Sequence, residues 1–212
     1  MNRYDLQVHT DASPCSRASP ADVVDTAVNA GLDGIAITNH DTLAGYDEVA
    51  ALAPADLTVI PGVEVTTTQG HLLALYVNAE PPQTNPITVI EHIHEQDGVA
   101  VLSHPFDRFR DYYDTNLEAI ASRVDGVEVQ NSRCLLPRFN RRAREYATQH
   151  DLAVTGGSDA HFPMEVGRST TVCDSPLREA IESTATQTAG RGGYLSGHTA
   201  TKLNDALRMV NL

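Results

Sequence analysis

Short apolar, β-rich runs alternate with amphipathic helical patterns from one end of this chain to the other. The runs Tyr4–Val8, Gly34–Ile37, Leu57–Val65, His71–Val77, Val99–Leu102, Gly126–Gln130 and Ala153–Thr155 read as strands. Between them, Ala21–Ala30, Gly45–Leu52, Pro86–Gln96, Leu117–Ser122 and Arg138–His150 read as helices, with a further helix opening at Ser175-Pro176. Ser19 is the expected N-cap of the first, with Pro20 at its first position, Asp22 completing a capping box and Gly31 closing it. Such an order predicts parallel strands joined by helical crossovers, as a doubly wound sheet or a (β/α) barrel. No linker or repeat interrupts it, so residues 1–212 read as one continuous α/β domain.

Charge narrows the partners. Against 28 Asp+Glu there are 15 Lys+Arg, a net −13, which repels nucleic acid and anionic membranes in the mean. Lys202 is the only lysine, a balance that suits a halophilic protein with a strongly hydrated acidic surface. No run approaches the roughly 18 apolar residues of a membrane span, and Met1–Asp5 carries no signal-peptide pattern, so a cytoplasmic protein is expected. Cys15, Cys134 and Cys173 are odd in number and contain no CxxC pair, which points away from a disulfide framework or zinc ribbon.

The metal-capable residues track the strand ends. His9 and His40 follow the first two strands, Glu64 ends the third and His71 opens the fourth. His104 and Asn131 follow the fifth and sixth, and Asp159 and His161 the seventh. In parallel α/β folds those ends gather at one rim, where sites are built. Singly each is an ordinary loop residue, but together they form an imidazole–carboxylate set suited to zinc, manganese or iron. His92 and His94, the only H-x-H, fall inside a helix where residues two apart diverge, so they read as solvated. His150 at a helix end and His198 near the C-terminus need no role in catalysis.

Five segments carry a family resemblance. Asp5-Leu6-Gln7-Val8-His9-Thr10-Asp11-Ala12-Ser13 resembles the first motif of the PHP (polymerase and histidinol phosphatase) superfamily, and Gly34–Thr42, with its Asn39-His40-Asp41, the second. Pro61-Gly62-Val63-Glu64 is similar to its glutamate motif, Ser103-His104-Pro105 to the third and Gly157-Ser158-Asp159-Ala160-His161 to the fourth. The resemblance implies a distorted (β/α)7 barrel with two or three divalent ions (zinc, manganese or iron) at its C-terminal rim. It implies His9, Glu64 and Asp159 on one ion, Glu64 bridging to a second with His104 and His71, and His40 and His161 on a third. Cys15 matches a place from which some relatives add a ligand, with burial as the competing role. Two positions depart from the pattern: Gln7 stands where a ligand histidine is usual, which weakens the first site, and Asn39 stands for an aspartate.

The implied function is a metal-dependent phosphoric ester hydrolase, a phosphoesterase cleaving a small phosphomonoester or nucleotide with a metal-activated hydroxide. Glu64 and Asp159 would serve that chemistry, and Arg133 and Arg168 are the candidates to grip phosphate through a planar fork, with salt bridges as their competing role. The alternatives are an exonuclease acting on nucleic-acid ends and a non-catalytic PHP-like binding subunit, which Gln7 keeps open. Arg138, Arg141, Arg142 and Arg144 along one helix read as a solvated face. If one rim holds the site, no two of the His40, His104 and Asp159 side chains lie more than about 12 Å apart, because donors sit only about 2.0–2.3 Å from an ion. Atomic coordinates check this directly.

Overall fold

In a computed structural model that describes residues 1–193, the strands form one sheet rolled nearly into a barrel. The elements in chain order are β1 (Asn2–Val8), α1 (Pro20–Asn29), β2 (Gly34–Ile37), α2 (Tyr46–Leu52), β3 (Thr58–Thr66), β4 (His71–Leu75), α3 (Pro86–Glu95) and β5 (Val99–Ser103). There follow α4 (Leu117–Ala121), β6 (Gly126–Asn131), α5 (Pro137–Gln149), β7 (Ala153–Gly157), β8 (Ser169–Cys173), α6 (Leu177–Glu182) and β9 (Gln187–Gly190). The sheet order is β7-β6-β5-β4-β3-β2-β1-β8-β9. Closure comes from the top of β1, where His9 N–H donates to Ala160 O at 2.9 Å and Ala160 N–H to Gln7 O at 3.2 Å. At the base, β8 instead pairs antiparallel with Asn2–Tyr4. The fold is thus the distorted barrel expected from the motifs. His198 and Lys202 lie outside the described residues.

One expectation needs correction: the strands are not all parallel. β4 runs antiparallel to both β3 and β5. Only Thr67–Gly70 separate β3 from β4, whereas a parallel crossover needs a dozen residues or more, so the chain can only turn back on itself. The reversal costs the site nothing. His71 opens β4 opposite Thr66 and Ser103, so a ligand from the start of a reversed strand reaches the same rim as ligands past the ends of its neighbours. Strands β8 and β9, absent from the expected set, extend the sheet beyond β1.

Helix packing follows the 3.6-residue period. α3 buries Val89, Ile90 and Ile93 against Leu72, Ala100 and Leu102, leaving His92 and His94 exposed. At α1 the Ser19 hydroxyl accepts from Asp22 N–H at 3.2 Å, the expected N-cap, but the Asp22 carboxylate takes that same hydroxyl at 2.7 Å rather than the Ser19 N–H of a capping box. Among the described residues, no helix is long and apolar enough to cross a membrane. Two substitutions test the scaffold. Ser19→Ala removes a cap and is expected to cost about 1 kcal/mol. In Gly34→Ala the new methyl meets Thr58 O at 2.9 Å and the Tyr4 ring at 2.6 Å, an overpacking expected to cost about 1–3 kcal/mol. Urea unfolding of the two variants, with m unchanged, measures both.

Candidate metal centre

The rim gathers the strand-end residues around Glu64, which is buried. Backbone hydrogen bonds set the spacing: Glu64 N–H donates to Asn39 O, and Asp41 N–H to Glu64 O, each at 3.1 Å, which fixes β3 beside His40. Five imidazoles then stand in sequence around the carboxylate. Ring centroids are separated by 4.5 Å for His161–His9, 4.9 Å for His9–His40, 5.4 Å for His40–His71 and 5.5 Å for His71–His104. Glu64 Oε2 lies 3.0 Å from His9 Nε2 and 3.7 Å from His40 Nε2, while Oε1 lies 3.1 Å from His104 Nε2. Asp159 Oδ1 faces His9 Nε2 at 3.4 Å.

Among the described residues, three groups have donor atoms mutually within 4.8 Å: His9, Glu64 and Asp159; Glu64, His71 and His104; and His9, His40 and His161. Glu64 and His9 are each shared between two groups. The donor set fits divalent cations, because the short contacts do not satisfy it. Nε2 and Nδ1 of His9, Glu64 Oε2, and Nδ1 of His71 and His104 are buried without a hydrogen bond. Leaving one such atom unsatisfied costs about 1–3 kcal/mol, so a cluster of them calls for a cation. Burial opposes charge on His9, yet Asp159 and Glu64 lift its pKa to about 9. Burial raises Glu64 and Asp159 too, but His40 and other imidazoles hold the first, and Arg110 and His9 the second, well below the carboxylate range.

Beneath these groups lies a buried polar layer whose importance the sequence reading missed. Glu128, from inside β6, accepts His104 N–H at 2.8 Å and Asn131 Nδ2 at 3.0 Å. Burial, reinforced by Asp159, pushes its carboxyl up to about 8. Asn131 Nδ2 also lies 3.3 Å from Asp159 Oδ2 and 3.2 Å from Gln7 Oε1. The Gln7 oxygen is therefore engaged with Asn131, in the layer below Asp159. A Cβ on Gly157 would approach both Glu128 Oε1 and Gln7 Cβ at 2.8 Å, so only glycine fits there. Asn39 uses its amide fully, accepting from Thr10 N–H and donating to Thr10 Oγ1 and Ala44 O. A carboxylate could not make that last bond.

Of the two roles open to Arg133, the structure shows the salt bridge. Arg133, a candidate grip for phosphate, is instead buried with Nη1 3.2 and 3.1 Å from the two Glu165 oxygens. Glu165 Oε2 also accepts His161 N–H at 2.7 Å and Phe162 N–H at 3.1 Å, so the pair holds the His161 loop from behind. Arg168 is half-buried at the entrance to β8, its N–H bonded to Glu165 O. A guanidinium that does bond a member of the centre is that of Arg110, passed over in the sequence because its loop shows no periodicity. It bonds Asp159 Oδ2 and Asp107, and reaches Asn131 Oδ1 at 3.3 Å. Since Asp159 Oδ1 faces His9, its two oxygens serve different neighbours. Cys15 is half-buried at the edge of the centre, bonded to His40, with Sγ 3.4 Å from Ser13 Oγ. His92 pairs with Glu95, His94 with Asp125, and His150 with Glu118, all in other places.

Known proteins share this arrangement of elements. A family model described as PHP-associated matches residues 137–184. An uncharacterised protein of Methanocaldococcus jannaschii is 31% identical over 173 residues, covering 79% of this chain and 68% of the relative. This chain belongs to the PHP superfamily. A 5'-3' exoribonuclease of Haemophilus influenzae is 38% identical over 66 residues, 31% of this chain and 24% of that protein. Two solved structures share the fold. A Bifidobacterium adolescentis protein named as a candidate metal-dependent phosphoesterase superposes with TM-score 0.64 and 23% identity, over 74% of this chain and 87% of its own. An amidohydrolase of Chromobacterium violaceum with bound sulfate and no metal gives TM-score 0.66 and 18% identity, over 87% and 97%.

The Arg133–Glu165 pair offers a test of how this PHP centre is held. Arg133→Met leaves Glu165 buried without its cation and is expected to cost about 3–5 kcal/mol. The exposed Arg141→Met is expected to cost less than about 0.5 kcal/mol. Parallel denaturant titrations separate the two; equal stability would show that the buried pair is not what holds the loop.

Proposed function

We propose that this PHP protein is a metal-dependent phosphoesterase that hydrolyses a small phosphomonoester or nucleotide. The observation that carries the reading is a buried glutamate shared between two groups of ligand-type side chains, in which Glu64 Oε2, both nitrogens of His9 and one nitrogen each of His71 and His104 are buried without a hydrogen bond. His9, Glu64 and Asp159 would hold one ion, Glu64, His71 and His104 a second, and His9, His40 and His161 a third, with zinc, manganese or iron as the suited elements. Such ions, when bound, supply Lewis acidity toward phosphoryl oxygens and a water acidic enough to ionise near neutral pH. The name carried by the Bifidobacterium adolescentis structure supports the same chemistry.

The chain's own residues do the rest. Glu64 supplies the negative charge that keeps cations close together. Glu128 and Asn131 hold His104 and Asp159 from beneath, so their donor atoms are oriented before a ligand arrives. Arg110 brings a planar cationic fork to the edge of the centre, where it suits non-bridging phosphate oxygens. Arg168 is kept as a more distant candidate for that grip. An exonuclease reading is favoured by one observation, the short match to an exoribonuclease, and opposed by the net charge of −13. A non-catalytic binding subunit would have no use for so many buried unsatisfied ligand atoms.

Glu64→Gln keeps the shape and removes the shared charge, and hydrolysis is expected to fall by at least roughly 10²-fold. His94→Ala, on the outer face of α3, is expected to behave as the parent. The assay uses a panel of phosphomonoesters and nucleotides with added manganese, zinc or iron, in dilute and in molar salt. Dialysis against a chelator should abolish turnover and metal restore it. A parent protein inert toward the whole panel with every metal would overturn the reading.

A further inference from the structure

We infer that the outer face of α5 and the loop after β5 form a docking groove for an acidic segment of a partner protein, a stretch of a few carboxylates with an apolar side chain at one end. The groove stands apart from the metal centre, and the inference does not rest on the proposed reaction.

The 3.6-residue period of α5 buries Phe139, Ala143, Tyr146 and Ala147 and leaves Arg138, Arg141, Arg142 and Glu145 exposed. That exposed face, with Phe106, Arg108 and Phe139, lines a groove of about 630 Å³ that none of the centre's ligand-type residues borders. Three of its guanidiniums rest on rings: Arg142 lies 4.4 Å over Phe106, Arg138 5.2 Å over Phe139 and Arg108 5.5 Å over Tyr112. Stacking holds a guanidinium in place and leaves the N–H donors of its edge available. Among the described residues, these three guanidiniums make no hydrogen bond and no ion pair. Other arginines turn back on the chain: Arg123 donates to Ala119 O, Arg144 to Thr188 Oγ1 and Arg178 to Asp97 O. Of the residues lining the groove only Glu145 is acidic, and it pairs with Arg141, at 4.0 Å. In a chain with 28 Asp+Glu, three stacked cations without a carboxylate opposite them are complementary to anions brought from outside.

Spacing and neighbours define the occupant. Arg138 and Arg142 are four residues apart on the helix, a rise of about 6 Å. Alternate side chains of an extended peptide repeat at a similar interval, about 6.6–6.8 Å, and a carboxylate matches a guanidinium fork with both oxygens. Phe109, 61% exposed, meets the groove-lining ring of Phe139 edge-on at 5.6 Å, which gives one end an apolar contact. A nucleic-acid strand, charged at every nucleotide, meets the mean field of a net −13 in full. A segment with a few carboxylates among neutral residues meets mainly the local cations.

The probe is a short fluorescein-labelled peptide of alternating Glu and Ser closed by a Phe, followed by anisotropy against the full chain with manganese. Saturable binding at low ionic strength is expected, weakening as salt rises and absent for the same peptide with Gln in place of Glu. Arg108→Gln, Arg138→Gln and Arg142→Gln are each expected to weaken it by roughly 2- to 5-fold, and the triple variant by roughly 10- to 100-fold. Arg123→Gln, on the surface beyond α4, is expected to bind as the parent. Exchanging the peptide's Phe for Ser is expected to weaken binding to the parent and not to Phe109→Ser. No saturable binding, an equal loss in Arg123→Gln, or indifference to the Phe exchange would overturn the groove. Binding lost on chelation would place the carboxylates at the metal centre and overturn it too. A single-stranded oligonucleotide that binds more tightly than the peptide, and is lost in the triple variant, would replace the protein partner with nucleic acid.

Discussion

The electrostatics of this rim depend on one carboxylate removed from water. Glu64 is only 1% exposed, and a bare charge at such depth would cost several kcal/mol. Imidazoles at 3.0, 3.1 and 3.7 Å are its answer, and they lower its affinity for a proton despite burial. Yet the histidines around it are crowded too: burial lowers His71 and His161 below the ordinary histidine range, while His9 and His40 are raised. Carboxylate and imidazoles thus divide a positive charge that none holds comfortably. A divalent cation suits that environment better than protons, because it satisfies several lone pairs at once.

Two supports keep this arrangement from relaxing. The layer of Glu128, Asn131 and Gln7 lies beneath it, and the Arg133–Glu165 pair lies behind the His161 loop. Both act on backbone as well as side chains, since Glu128 takes the N–H of His104 and Glu165 that of His161. That matters because His104 and Asp159 adopt positive φ, 29° and 56°, a region L-residues enter reluctantly. Strain of this kind persists only where surrounding bonds over-determine it.

What the sequence made legible was position along the chain. A histidine that follows a strand in an α/β order lies at a rim whatever the loops do, and the structure brings His9, His40, His104 and His161 together there. The same logic kept His92 and His94 apart, because α3 has a 3.6-residue period. Pairings across the chain were hidden. Nothing near Arg133 announces Glu165, 32 residues away, and nothing in the 104–116 loop announces that Arg110 returns to Asp159, 49 residues away. Two signals were present and unused. Glu128 sits between valines in an apolar strand, where a charge needs a reason, and the four residues Thr67–Gly70 are too few for a parallel crossover.

The bridge that closes the barrel also sets the order of events in biosynthesis. Ser16 Oγ bonds the carbonyls of both His9 and His161, Arg17 N–H bonds His161 O, and His9 N–H bonds Ala160 O. The first ligand loop is thus stitched to the last. On a ribosome, His9 emerges early and waits for a partner synthesised some 150 residues later. A translation product halted before Asp159 carries the residues of one group, Glu64, His71 and His104, and lacks a member of each of the other two. The groups that include Asp159 or His161 can therefore assemble only after β7 has been made, and they are the ones that the first loop joins.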